Sequence, residues 1–240
     1  MENKPLRIYV AAAKQNDGKT TAALGLMNVI RESYPKIGYI KPVGQHFNVI
    51  NSKKIDKDAS LIEDVFHIGT GLQDMSPVAK LLNSPVIIVA SGGIGRPIDE
   101  IMLNKALFDS YGVEVLGVII NKVKPEKFEK INKVVRLGLD RLGISVLGVT
   151  PFFPILTSPN LQQVLEDMQG TLISGEKFLD HTISKFLVGA MPPSTAAQRI
   201  NNMIIKIKPH EVEKIKVVKS MIKEYVDVRM LFEKLGAVTS

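Results

Sequence analysis

Short apolar runs rich in valine and isoleucine punctuate the chain at Leu6 to Ala12, Ile37 to Val43, Pro85 to Ala90, Val115 to Asn121 and Val146 to Thr150. Runs of this length, bounded by turn-forming residues, predict five β-strands. Between the later strands apolar positions recur every three or four residues, over about Ile98 to Tyr111 and Pro125 to Leu142. Each stretch has a proline near its first turn, where a missing N–H costs nothing, so both are predicted helices. Alternating strands and helices imply a parallel sheet with right-handed crossovers. The segments PVIIVA from Pro85 and VLGVII from Val115 are almost uninterruptedly apolar, as strands buried on both faces are. The expected fold is α/β: a mostly parallel sheet flanked by helices, with a small α-rich C-terminal appendage.

Beyond Pro154 the alternation changes character. Ser158-Pro159-Asn160 opens a predicted helix running to about Met168, and Gly170 and Gly175 bracket a turn-rich stretch. From Gly175 a second, smaller unit is expected, with a break at Met191-Pro192-Pro193-Ser194. In the tail, Val212, Ile215, Val218, Met221, Ile222 and Tyr225 fall at helical spacing, a stripe suited to core or partner-helix packing rather than to a membrane surface. This reading divides the chain at residues 155 and 156, with the helical tail in the second part.

Composition narrows the chemistry. The 240 residues include no cysteine and four scattered histidines, so neither a disulfide framework nor a structural metal site is expected. No run approaches the roughly 18 apolar residues of a membrane span, and the N-terminus lacks a secretory pattern. A cytoplasmic protein without membrane contact is the expectation. The net charge of +7 concentrates in two helix-like stretches, Lys122 to Arg136 and Lys206 to Lys223, both diluted by glutamate and poor in aromatics. Such runs read as solvated helix faces, not as a nucleic-acid interface.

The first strand runs directly into Ala13-Lys14-Gln15-Asn16-Asp17-Gly18-Lys19-Thr20-Thr21, and a helix-forming run follows. Apart from Ala13 in place of the first glycine, this is the phosphate-loop template, a glycine, four residues, then Gly-Lys-Ser/Thr. Unsatisfied N–H groups and the dipole at a helix start favour a polyphosphate. Gly18 permits close backbone approach, Lys19 supplies a point charge between the terminal phosphates, and the Thr20 hydroxyl is a magnesium ligand. The expected ligands are a nucleotide, ATP, and Mg²⁺, with Lys14, Asp17, Gly18, Lys19, Thr20 and Thr21 as binding residues. Lys14 has the spacing of the extra lysine in the deviant loops of partition and nitrogenase-iron-protein ATPases, which leaves a dimer-bridging lysine and an ordinary surface lysine as alternatives.

With this loop, further segments resemble the dethiobiotin synthetase-type ATPases, and the related domain found in some phosphotransacetylases ahead of a DRTGG domain. The resemblance runs from about Arg7 to Met191. Ile40-Lys41-Pro42-Val43 matches a family segment whose lysine helps to bind substrate or phosphate, which makes Lys41 a catalytic candidate beside Lys19; Gln45 replaces a serine of the synthetases. Pro85 to Gly95 is similar to the strand and glycine-rich turn before a family helix. The resemblance implies that Asn121 and the Pro151-Phe152-Phe153-Pro154 stretch cradle adenine. Asn121-Lys122-Val123-Lys124 lacks the closing aspartate of the guanine-reading motif, so ATP is expected over GTP. Gly148 to Met191 looks like the start of a DRTGG domain without its signature.

One departure bears on activity. The family carries a strand with a terminal acid between Met-Ser-Pro-Val and the glycine-rich strand. Here Met75-Ser76-Pro77-Val78 is followed almost at once by Lys80 to Pro85. Asp56, Asp58, Glu63 and Asp64 lie in a polar stretch and none ends an apolar strand, with Asp58 and Glu63 the first candidates for a substitute. Three readings stand open: a nucleotide-binding module with weak or no hydrolysis and a sensing or regulatory role, involving a protein partner or a second copy; an active ATP-dependent carboxylate-activating ligase; and a degenerate relative that binds nothing.

Overall fold

The computed structural model describes residues 6–14, 16–39, 47–50, 53–68, 84–93, 95–110, 112–183 and 207–237, with backbone only for 47–50 and 53–57. Strand β1 (Tyr9–Ala12) leads to α1 (Lys19–Ser33), a hairpin of β2 (Phe47–Ile50) and β3 (Lys53–Asp56), and α2 (Lys57–Phe66). Then come β4 (Val86–Ser91), α3 (Arg96–Ser110), β5 (Val115–Val123), α4 (Phe128–Asp140) and β6 (Val146–Pro151). The main sheet has the order β1-β4-β5-β6, and all its pairs are parallel. This is the expected α/β class.

Period-two alternation divides the core between the two faces of the sheet. Val86, Ile88 and Ala90 of β4 and Val118 and Ile120 of β5 pack with Ile101 of α3 and with Ile131, Val135 and Leu139 of α4. Ile87 and Val89 alternate with them and are equally buried. Such all-round burial explains why these strands are apolar until their carboxyl ends, where Ser91, Asn121 and Lys122 stand.

Two local expectations give way. Residues 37–39, expected as the start of a second strand, carry no strand pairing, and 40–43 lie outside the described residues. The antiparallel hairpin instead starts at Phe47, pairs Phe47 with Asp56, and forms a sheet of its own. The tail is two helices, α6 (Val212–Tyr225) and α7 (Val228–Lys234), because Asp227 stops one and caps the next by accepting from the Met230 N–H at 2.8 Å.

Two compact units emerge, residues 1–152 with 215–240, and residues 153–214. The tail from Ile215 thus groups with the sheet, unlike the sequence division at 155 and 156. Gly25 of α1 marks the reason: a side chain there would meet Ile222 Cγ1 at 2.3 Å and the Val218 carbonyl at 3.1 Å. The smaller unit holds α5 (Leu161–Asp167), started by a capping box in which Asn160 Oδ1 accepts from the Gln163 N–H at 2.8 Å and Gln163 Oε1 from the Asn160 N–H at 3.2 Å. Lys214, expected on a solvated face, is buried, and its ammonium donates to the Ser158 carbonyl at 2.8 Å and pairs with Glu211 at 2.6 Å.

Candidate phosphate-binding site

The carboxyl ends of β1, β4, β5 and β6 form one edge of a parallel sheet, the edge at which open α/β sheets bind ligands. The β1–β4 pairing continues one step past the strand, with the Ala13 N–H donating to the Val89 carbonyl at 2.8 Å. The chain then turns through Asn16, with φ 69°, and Gly18, with φ 97°, and Gly18 is the N-cap of α1. A side chain at Gly18 would suffer twice, since its φ is left-handed and its Cβ would lie 2.1 Å from Asn121 Nδ2. No side chain caps α1, and its first turn holds no acid. The early N–H groups of that turn, at Lys19, Thr20 and Thr21, are therefore available to an anion.

Four residues from the neighbouring strands fix this loop. Ser91, at the end of β4, donates to Asp17 Oδ1 at 2.5 Å, while the Lys14 N–H donates to Asp17 Oδ2 at 2.9 Å. Asn121 Nδ2 donates to the Asp17 carbonyl at 3.0 Å, and Asn121 Oδ1 accepts from Thr150 Oγ1 at 2.7 Å and from the Lys122 N–H at 2.9 Å. The Lys122 ammonium donates to the Asn16 carbonyl at 2.6 Å. Asn121 is 4% exposed, so its side chain works beneath the loop as an anchor and is not presented as a base contact. Pro151 ends β6 and is half-buried. Sequence reasoning did not single out Ser91, Lys122 or Thr150 as anchors, because a lone polar residue at a strand end has no spacing to mark it.

Lys14 forms an ion pair with Glu100 of α3 at 2.6 Å. This hydrogen bond, helped by Arg96, holds the Glu100 carboxyl below the usual carboxylate range. The lysine is thus engaged within its own chain. Thr20 Oγ1 donates to Asp58 Oδ2 at 3.0 Å, which brings together the loop hydroxyl and one of the two acids singled out in the sequence. Asp58 is 7% exposed in the first turn of α2, where the helix dipole favours a carboxylate. Glu63 lies further along the same helix, and Lys41 and Gln45 lie outside the described residues.

The pair fits a magnesium ion. Mg²⁺ takes oxygen ligands at about 2.1 Å in octahedral array, so adjacent ligands stand about 3 Å apart. Among the described residues there is no group of three or more acidic, histidine or cysteine side chains that could hold a metal, so among them Thr20 and Asp58 are the pair that would contact such an ion. Among the same residues no helix is long and apolar enough to cross a membrane.

A family model described as an AAA domain matches residues 73–160, the stretch that carries β4, β5 and β6. The chain is 26% identical to a cobyrinate a,c-diamide synthase of Caldanaerobacter subterraneus over 223 aligned positions, covering 72% of this chain and 48% of that protein. Since 72% of 240 residues is fewer than 223, the alignment includes positions of the relative that this chain lacks. A phosphate acetyltransferase of Synechocystis is 32% identical over 48% of this chain and 17% of its own length. The ATP-dependent dethiobiotin synthetase of Bacillus subtilis is 33% identical over 39% of this chain and 40% of its own. This chain spans about half or less of these relatives. Over these stretches the chain is similar to dethiobiotin synthetase and to phosphate acetyltransferase, and the loop and parallel sheet give it an α/β P-loop-like fold.

Proposed function

We propose that this protein binds ATP with magnesium at the loop from Ala13 to Thr21, and that Asp58 stands in for the strand-end acid missing from the shortened segment. The observation that carries the reading is the 3.0 Å contact between Thr20 Oγ1 and Asp58 Oδ2. Lys19 neutralises the terminal phosphates, the amides of the first turn of α1 bind their oxygens, and Thr20 and Asp58 hold the metal. A bound magnesium would withdraw charge from the phosphoryl oxygens. Loop residues Lys14, Asp17 and Thr21 contribute backbone positions, and Lys41 remains a candidate contact. Asn121 acts by shaping the loop, and ATP is preferred over GTP because Lys122-Val123-Lys124 offers no carboxylate to a guanine.

Turnover is proposed to be slow and the role to be sensing or regulation, through a protein partner or a second copy, since positioning supplies most of the catalysis in phosphoryl transfer and a one-carboxylate metal set constrains it weakly. The second reading, an ATP-dependent ligase, is favoured by the same Thr20–Asp58 pair and by the ATP-dependent dethiobiotin synthetase among the relatives. Calorimetric titration with ATP and Mg²⁺, paired with a phosphate-release assay, tests both. Lys19→Ala should weaken ATP by more than about tenfold, the effect of a charge-assisted contact of roughly 1.5–3 kcal/mol. Equal affinity in the variant would sink the site, and turnover near about 1 per second, an ordinary enzymatic rate, would replace sensing by catalysis.

A further inference from the structure

Asn121 and Lys122, adjacent at the end of β5, hold two consecutive carbonyls of the loop. Asn121 Nδ2 takes that of Asp17 at 3.0 Å, and the Lys122 ammonium takes that of Asn16 at 2.6 Å. In a trans peptide the N–H points opposite to the C=O. Drawing these two carbonyls toward β5 therefore turns the N–H groups of Asp17 and Gly18 away from it. Left-handed residues on either side of Asp17, Asn16 at φ 69° and Gly18 at φ 97°, create the alternation in which successive amides form an anion-binding concavity. Gly18 adopts that conformation without strain, but Asn16 carries a Cβ and needs support. Lys122 is itself left-handed, with φ 60°, an unfavourable state for a long side chain at the end of a buried strand.

We propose that Lys122 is a positioning residue for the phosphate site, its ammonium stabilising the left-handed Asn16 so that the Asp17 amide is presented to the polyphosphate. This rests on the reading of the loop as a phosphate site. Lys122 acts through the Asn16 carbonyl, so its loss is compensated by any change that makes residue 16 left-handed unaided. Glycine does so.

The experiment measures binding of Mg-ATP and of inorganic tripolyphosphate by calorimetry in wild type, Lys122→Met, Lys122→Gly, Asn16→Gly and the double variant Asn16→Gly/Lys122→Met, with Lys19→Ala beside them and circular dichroism to check the fold. Lys122→Met should lose about tenfold for both probes, as expected for a charge-assisted hydrogen bond. Lys122→Gly, which removes the ammonium together with the left-handed strain, should show the same loss even where the methionine variant folds poorly. The double variant should recover to within about threefold of wild type, because glycine no longer needs the support. Wild-type affinity in Lys122→Met, or a double variant no better than Lys122→Met, overturns the inference while Lys19-dependent binding persists. Probes that ignore Lys19→Ala, or fail to bind wild type, overturn the phosphate-site reading and this inference together.

Discussion

Asp58 and Ser91 place charge beside the loop in opposite ways. Asp58 is proposed to meet the metal, and substituting asparagine keeps the bulk and an acceptor for Thr20 while removing the charge. Asp58→Asn should therefore cut the gain in ATP affinity on adding Mg²⁺ by about tenfold and leave metal-free binding nearly unchanged. Titrations with and without magnesium decide it, and an unaltered metal effect would refer Asp58 to a structural role. Ser91 instead satisfies a carboxylate buried in the loop, since Asp17 is 5% exposed. Ser91→Ala removes a hydrogen bond to a charged acceptor and should cost about 1.5–3 kcal/mol of stability in urea unfolding. At this scale the sequence disclosed the loop, because Gly-Lys-Thr after a strand has a spacing. It did not disclose Ser91, Lys122 and Thr150 as anchors, since strand order alone brings them together.

Helices α3 and α4 follow their apolar period closely, whereas the hairpin of β2 and β3 was illegible, since Asn51-Ser52 and the charged Lys53, Lys54 and Asp56 read as polar loop. Charge also joins elements. Glu32 at the end of α1 pairs with Lys219 at 2.8 Å and Lys223 at 2.7 Å on α6. Hydrogen bonds from Lys219 and then Lys223 hold its carboxyl below the usual range. A depressed folded pKa means that the contribution is present above the unfolded value, about pH 4.3 for glutamate, and is lost as pH falls through the folded value. Glu32→Gln should thus lower stability near neutrality and flatten the acid limb at low salt, a difference that vanishes at about 1 M salt, where screening falls to about 3 Å. In the smaller unit, Lys214→Ala leaves Glu211 buried without its cation, and loss of one partner in such a pair costs about 3–5 kcal/mol. Amide exchange at Gln163 and Val164 should accelerate while exchange at Ile119 and Ile120 in the sheet holds. Acceleration at both would show that the pair stabilises more than its own unit.

In the larger unit, the outer strand of the sheet, β6, is joined along its free side by the tail. The Asp227 N–H donates to the Leu147 carbonyl at 2.7 Å, and Gly148 bridges to Val226. The sequence offered no sign of this return, because glycine within a strand marks a close approach without naming the partner. The approach is tight: a Cβ at Gly148 would lie 2.5 Å from the Tyr225 carbonyl oxygen and 2.9 Å from Val226 Cα, atoms of backbone that cannot turn aside. Gly148→Ala should therefore cost about 1–3 kcal/mol, the usual penalty of overpacking. Gly138, inside α4, supplies the comparison, for a Cβ there would meet only Ile98 Cδ1 at 3.8 Å. Alanine at that position gains helix propensity without a clash and should stabilise by up to about 1 kcal/mol. Denaturant unfolding of both variants reads the difference in sign. If Gly148→Ala left the midpoint unchanged while Gly138→Ala raised it, the packing of the tail on β6 would be looser than this geometry requires.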